Sequence, residues 1–193
     1  MCTYSQGTDV LLLALNRVPE LGSKVALIMG SGECRHKVML KTIYEKLGPE
    51  KSAALINWHS LTGCDTTGHI QQKGKRGFFT AFLDARSAVA AIADLGVGAE
   101  PSAEVVRGCE EFLCALFCPK YLHVTQANAL RWHLFKLLKP DQGVDKLPPI
   151  PGVWLEHIRR AHLQANIWSQ DLVLHPTTTL DPLTLGWLKK ERQ

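Results

Sequence analysis

The apolar positions of this chain change period from one stretch to the next. Lys24 to Met29, apolar from Val25 on, is of strand length and is followed by Gly30-Ser31-Gly32 and then Arg35 to Leu40. This order predicts a hairpin of two strands. From Leu40 to Leu47 the period becomes helical, with Ile43, Tyr44 and Leu47 on one face, and Gly48-Pro49 stops it. Pro49 also suits the first position of a following helix, which runs to Leu61. Helices are predicted for Phe78 to Leu83, Ala85 to Leu95, Ser102 to Phe117, Thr125 to Leu138 and Val153 to Trp168. In the last, Trp154, Ile158, Ala161, Ala165 and Trp168 form the apolar stripe, and Arg159, Arg160 and His162 are expected opposite it. Val10 to Leu15 is apolar throughout. It fits a helix capped by Thr8 or Asp9, or a strand.

Breaks in this pattern divide the chain. Gly96 to Pro101 interrupts the helices, and Pro140, Gly143, Pro148, Pro149 and Pro151 block regular structure. The expected organisation is α/β. Residues 1–95 form a core with a small sheet, 96–138 a helical extension, 139–152 a Pro-rich linker, and 153–193 a C-terminal helix and tail. There is no internal repeat and no low-complexity tract.

Composition adds modest limits. The chain has 193 residues, 46% of them apolar and 21% charged, as in folded globular chains. Its net charge of +4 permits contact with nucleic acid without requiring it. None of the six cysteines forms a C-x-x-C pair, and Cys114 and Cys118 fall one turn apart in an apolar run. Core thiols in a reducing, intracellular protein are expected, without assignment to nucleus or cytoplasm. Leu11 to Leu15 is too short to cross a membrane.

The candidate chemistry is concentrated between Trp58 and Gly68, Trp-His-Ser-Leu-Thr-Gly-Cys-Asp-Thr-Thr-Gly. An apolar helical run, Ala53 to Leu61, ends at Thr62-Gly63, where glycine can cap a helix C-terminus. Asp65 follows among hydroxyl residues, either as a turn-forming Asp or as a carboxylate aimed at a divalent cation. Upstream, Asp9 is a helix cap or a second such carboxylate. Downstream, Lys73, Lys75 and Arg76 flank Gly74, and a glycine there lets backbone N–H groups face a phosphate. Phe78, Phe79 and Phe82 read as core aromatics. Gly30-Ser31-Gly32 lacks the Gly-Lys-Ser/Thr ending of a nucleotide loop.

Gly63-Cys64-Asp65 after an apolar helix, followed by the basic segment Lys73-Gly74-Lys75-Arg76-Gly77, resembles flap endonucleases and PIN-like nucleases. The longer stretch Leu61-Thr62-Gly63-Cys64-Asp65-Thr66-Thr67, with Arg160 to Trp168 and Gly186-Trp187-Leu188, is similar to uncharacterised, mobile-element-derived animal members of that superfamily. The resemblance implies a truncated PIN-like (Rossmann-like) core followed by a mostly helical region. It implies Asp9 and Asp65 as ligands of Mg²⁺ or Mn²⁺, and Lys73, Gly74, Lys75 and Arg76 as contacts to a DNA or RNA backbone. Gly7 stands where those relatives carry a first acid, and their further acids come from strands preceding that point. Catalysis by two cations needs a fuller carboxylate cluster. The expected function is therefore a non-catalytic remnant of a nuclease domain that binds nucleic acid or protein weakly. The alternative is a metal-dependent 5′-nuclease or phosphodiesterase that depends on acids supplied from elsewhere.

Overall fold

In a computed structural model, the apolar run Ala53 to Leu61 lies in a helix whose residues from Ala54 to Thr62 are all buried. The structure describes residues 2–5, 7–22, 24–70, 73–119, 122–139, 143–176 and 180–189. Gln71 and Gln72 of the basic segment and Pro140 of the Pro-rich stretch lie outside them.

The elements are short and mostly helical. In chain order they are β1 (Cys2–Tyr4), α1 (Thr8–Asn16), α2 (Val18–Leu21), β2 (Ala26–Met29), β3 (His36–Met39), α3 (Leu40–Leu47) and α4 (Pro49–Thr62). After these come α5 (Lys75–Asp84), α6 (Arg86–Ala93), α7 (Ala103–Phe117), α8 (Ala127–Leu137) and α9 (Pro151–Ser169). The hairpin is present: β2 and β3 pair antiparallel, with Leu27 opposite Val38. β1 lies parallel along β2 for three residues, with Thr3 opposite Leu27. That strand was not legible in the short polar start of the sequence.

The expectation of a truncated Rossmann-like α/β core is overturned. The described residues are mostly helical, and they contain no Rossmann-like parallel sheet. The strands are only three or four residues long, too short to carry the layered sheet such a core requires. The open choice at Val10 to Leu15 goes to helix: Leu12 and Leu15 of α1 are buried, and α1 packs on α4 rather than extending the sheet. An apolar run satisfies its backbone within itself as a helix, so it needs no strand neighbour.

The helix α4 buries Leu55, Ile56, Trp58 and Leu61 in one core together with Phe78, Phe82, Phe112 and Ile158. It also buries Asn57, His59, Ser60 and Thr62. Asn57 donates to the carbonyls of Ala93 and Leu95, which close the end of α6. The hydroxyls of Ser60 and Thr62 donate back to the carbonyls of Asn57 and Trp58. Packed against it are α1, α3, α5, α6 and α9. Cys109 and Cys114 of α7 are buried in the same core, and burial pushes both thiols up to about 12.

The polar face expected for α9 needs one correction. His162 is fully buried, whereas Arg159 and Arg160 are half-buried. The Gly96 N–H donates to His162 Nδ1 at 3.1 Å, and His162 Nε2 donates to the Gly98 carbonyl at 3.2 Å. Gly96 has φ +87°, and a Cβ there would lie 2.6 Å from the Asn166 nitrogen. Only glycine allows the chain to approach α9 so closely, so the helical spacing of α9 alone could not reveal a partner for His162.

His59, His157 and His162 are all held below the ordinary histidine value of 6.5, in each case chiefly by burial. The folded state therefore binds fewer protons than the unfolded one once pH falls through about 6.5. Full stability is expected above that pH, with progressive loss below it, read as the denaturant midpoint between pH 7.5 and 5. His162→Gln should cost about 1–3 kcal/mol at pH 7.5, because it disturbs two buried hydrogen bonds, and should flatten the pH dependence. A pH-independent midpoint in the wild-type chain would contradict this account.

Candidate functional site

Three chain segments converge on a cavity of about 570 Å³: the start of α1, the turn after α4, and the start of α5. Asp9, His59, Asp65, Lys73, Gly74 and Lys75 are among its lining residues.

The turn after α4 is built around Gly63. Its φ is +101°, and a Cβ would meet His69 Cβ at 2.9 Å and the Gly68 carbonyl oxygen at 3.0 Å. The Cys64 N–H donates to Thr67 Oγ1 at 3.1 Å, and that hydroxyl donates to the Ser60 carbonyl at 2.7 Å. Thr66 Oγ1 donates to Gln164 Oε1, which ties the turn to α9. Asp65 is thus held at the cavity edge on a hydrogen-bonded turn, and it is exposed.

Asp9 lies in the first turn of α1, one residue inside the helix. The N-cap is Gly7, which supplies no side-chain cap. Asp9 Oδ1 accepts a hydrogen bond of 2.7 Å from His59 Nε2. On the other side of the ring, Lys75 Nζ donates to His59 Nδ1, also at 2.7 Å. An ammonium only donates, so Nδ1 must be an acceptor and the proton sits on Nε2. Burial, and after it the Lys75 charge, pull His59 below its usual value, while Asp9 opposes them. The close His59–Asp9 contact is therefore a hydrogen bond from a neutral imidazole to a carboxylate. The ring also stacks on Trp168, with centroids 6.0 Å apart and planes at 9°.

Lys75 is exposed as a residue, but its ammonium reaches inward. It donates to Thr62 Oγ1 at 2.9 Å and to the His59 carbonyl at 3.3 Å, and it lies 5.1 Å from the Trp58 ring centroid. Burial of the charge brings Lys75 down to about 8, with Cys64 and Asp9 acting in the opposite direction. Lys73 turns toward α7. Its ammonium donates to the Leu116 carbonyl at 3.2 Å and lies 4.4 Å from the Phe117 ring centroid. Burial lowers its pKa as well. Gly74 is the N-cap of α5 and supplies no side-chain cap. Arg76 is exposed and is not among the residues lining the cavity.

Of the residues singled out from sequence, the fold brings Asp9, Asp65, Lys73, Gly74 and Lys75 to one cavity and leaves Arg76 outside its lining. His59, which links Asp9 and Lys75, was not among the residues singled out from sequence. A signal was present: an imidazole inside the apolar run Ala53 to Leu61 must find a polar partner when buried.

The donor set does not fit a two-cation centre. Among the described residues, no group of three or more His, Cys, Asp or Glu side chains is placed to hold a metal ion. Asp9 already accepts from His59, and the Lys75 ammonium occupies the far side of that imidazole. Two cations spaced about 3.5–4 Å apart would need more carboxylates than Asp9 and Asp65.

No protein-family model matches this chain, and no match was found among curated proteins or among solved structures.

The Lys75–His59–Asp9 chain makes a spectroscopic prediction. The ¹⁵N shifts of His59 should show the Nε2–H neutral tautomer at pH 7, and Lys75→Met should raise the His59 pKa by removing the neighbouring charge. A protonated His59 at pH 7 in the wild-type chain would contradict the arrangement.

Proposed function

We propose that this chain is a non-catalytic module that binds the phosphodiester backbone of nucleic acid weakly at the mouth of the cavity. The observation that carries this reading is the convergence of α1 and α5. Both helices begin at the cavity with a glycine N-cap and no side-chain cap, and the Lys75 ammonium lies between them and α4. Helix N-termini present unpaired N–H groups and the positive end of the peptide dipoles, which favour anions. Arg76, exposed at the same helix start, extends the basic edge. Asp9 and Asp65 oppose a polyanion, so the affinity is low and sequence-independent. This reading keeps the nucleic-acid chemistry of the family that Gly63-Cys64-Asp65 resembles, without that family's sheet.

A reducing, intracellular setting goes with this function, since Cys34, Cys64, Cys109, Cys114 and Cys118 are all free thiols. Among the described residues no helix is long and apolar enough to cross a membrane.

A salt titration of duplex DNA binding tests the reading. If Lys73, Lys75 and Arg76 each neutralise one phosphate, the log–log slope is about −3, and Arg76→Ala makes it shallower by about 1. Affinity should fall as pH rises through about 8, where Lys75 loses its proton, and this dependence should vanish in Lys75→Met. Equal slopes and pH profiles in wild type and variants would overturn it.

One observation favours the alternative of a metal-dependent phosphodiesterase: Asp9 and Asp65, distant in sequence, line the same cavity. With Mg²⁺ or Mn²⁺ the chain is expected to leave flap, nicked and single-stranded DNA uncut, and Gly7→Asp is expected not to change this. Cleavage that requires the metal and disappears in Asp65→Ala would establish the enzyme instead.

A further inference from the structure

The contacts of Lys75 carry a chemistry independent of phosphate binding. A lysine that serves only as a point charge usually keeps its ammonium in water. Here the ammonium is set against an imidazole nitrogen at 2.7 Å, a hydroxyl at 2.9 Å and an indole face at 5.1 Å. The imidazole is in turn oriented by Asp9 at 2.7 Å. Nucleophile, base and orienting carboxylate within hydrogen-bond reach of one another is the geometry of an activated side-chain nucleophile. The cavity beside it, about 570 Å³, falls within the usual range for small-molecule sites. Lys73 faces the same cavity but has a backbone carbonyl and a phenyl ring as its neighbours, with no base.

We propose that Lys75 is a covalent carbonyl-binding residue, whose amine condenses with the aldehyde or ketone group of a small molecule held in the cavity, with His59 as the proton acceptor. In the first step the Lys75 ammonium passes a proton to His59 Nδ1. The resulting imidazolium keeps its Nε2–H on the Asp9 carboxylate. The freed lone pair of Nζ attacks the carbonyl carbon, and the carbonyl π electrons move onto oxygen. That oxygen takes the proton back from His59 and a second proton from Nζ, then leaves as water while the C=N bond forms. The sum is lysine ammonium plus carbonyl compound giving protonated imine plus water, with no oxidant or reductant consumed. Asp65, Cys64 and His69 also line the cavity. The lowering of Lys75 to about 8 through burial is consistent with this role, because it makes the free amine accessible near neutral pH.

The test uses the full chain, pyridoxal as the carbonyl probe, and cyanoborohydride to trap the imine as a stable secondary amine, followed by peptide mapping. Lys75 should be the main site at pH 7, labelled about tenfold faster than the exposed Lys37. Its rate should rise with pH to half-maximum near 8. His59→Gln should slow labelling of Lys75 toward that of Lys37, with an unchanged circular dichroism spectrum. If that variant does not fold, the wild-type Lys75-to-Lys37 ratio and the pH midpoint decide the question. Labelling of Lys75 no faster than Lys37 in the wild type would overturn the proposal, as would labelling unchanged in a folded His59→Gln chain. No nucleic acid enters the assay, so its failure and that of the phosphate-binding reading are separate.

Discussion

Burying a helix that carries Asn57, His59, Ser60 and Thr62 alongside its leucines is feasible only if each polar group finds a partner, since an unpaired buried donor costs about 1–3 kcal/mol. Ser60 and Thr62 find theirs within α4, on the carbonyls of Asn57 and Trp58, and the rest of the fold supplies the others. The end of α6 accepts both N–H groups of Asn57, and α1 provides the carboxylate for His59. His157 of α9 donates to the Leu61 carbonyl at 2.7 Å, near the C-terminal end of the same helix. These bonds select one arrangement of helices around α4, where apolar packing alone would accept several. They also set the register in which α1 and α5 reach the cavity.

The candidate site follows from that constraint. Because Asp9 is the partner that His59 requires, one of its carboxylate oxygens is committed within the protein. Because His59 is neutral and accepts through Nδ1, it can hold an ammonium, and Lys75 is the one it holds. The charges in the cavity are therefore arranged as an internal relay, which differs from a cluster of carboxylates awaiting cations. Lys75 is drawn out of water by the same contacts, and this sets both its pKa and its reactivity. The turn at Gly63 matters for the same reason. Any side chain there would push His69 and Gly68 away and release Asp65 from its position beside the relay.

Much of the helical outline was determined by the sequence itself. The hairpin, the stop at Gly48-Pro49, the Ser102 cap of α7, whose hydroxyl accepts from the Val105 N–H at 3.2 Å, and the break after Phe117 all come from local turn and capping chemistry. Such signals act over a few residues and survive in any tertiary context. The choice that outline left open was equally physical in origin: an apolar run such as Val10 to Leu15 satisfies either period, so only its neighbours decide. Here the neighbour is α4, and the run is a helix. The choice between a layered sheet and a helical assembly therefore lay beyond the local pattern. So did the burial of His162, which depends on a glycine sixty-six residues away, and the joining of Asp9, His59 and Lys75, which come from three separate helices. Hydrogen bonds between residues distant in the chain leave no periodicity in it. Sequence determined which residues could carry charge and chemistry, and only the tertiary structure decided which of them meet.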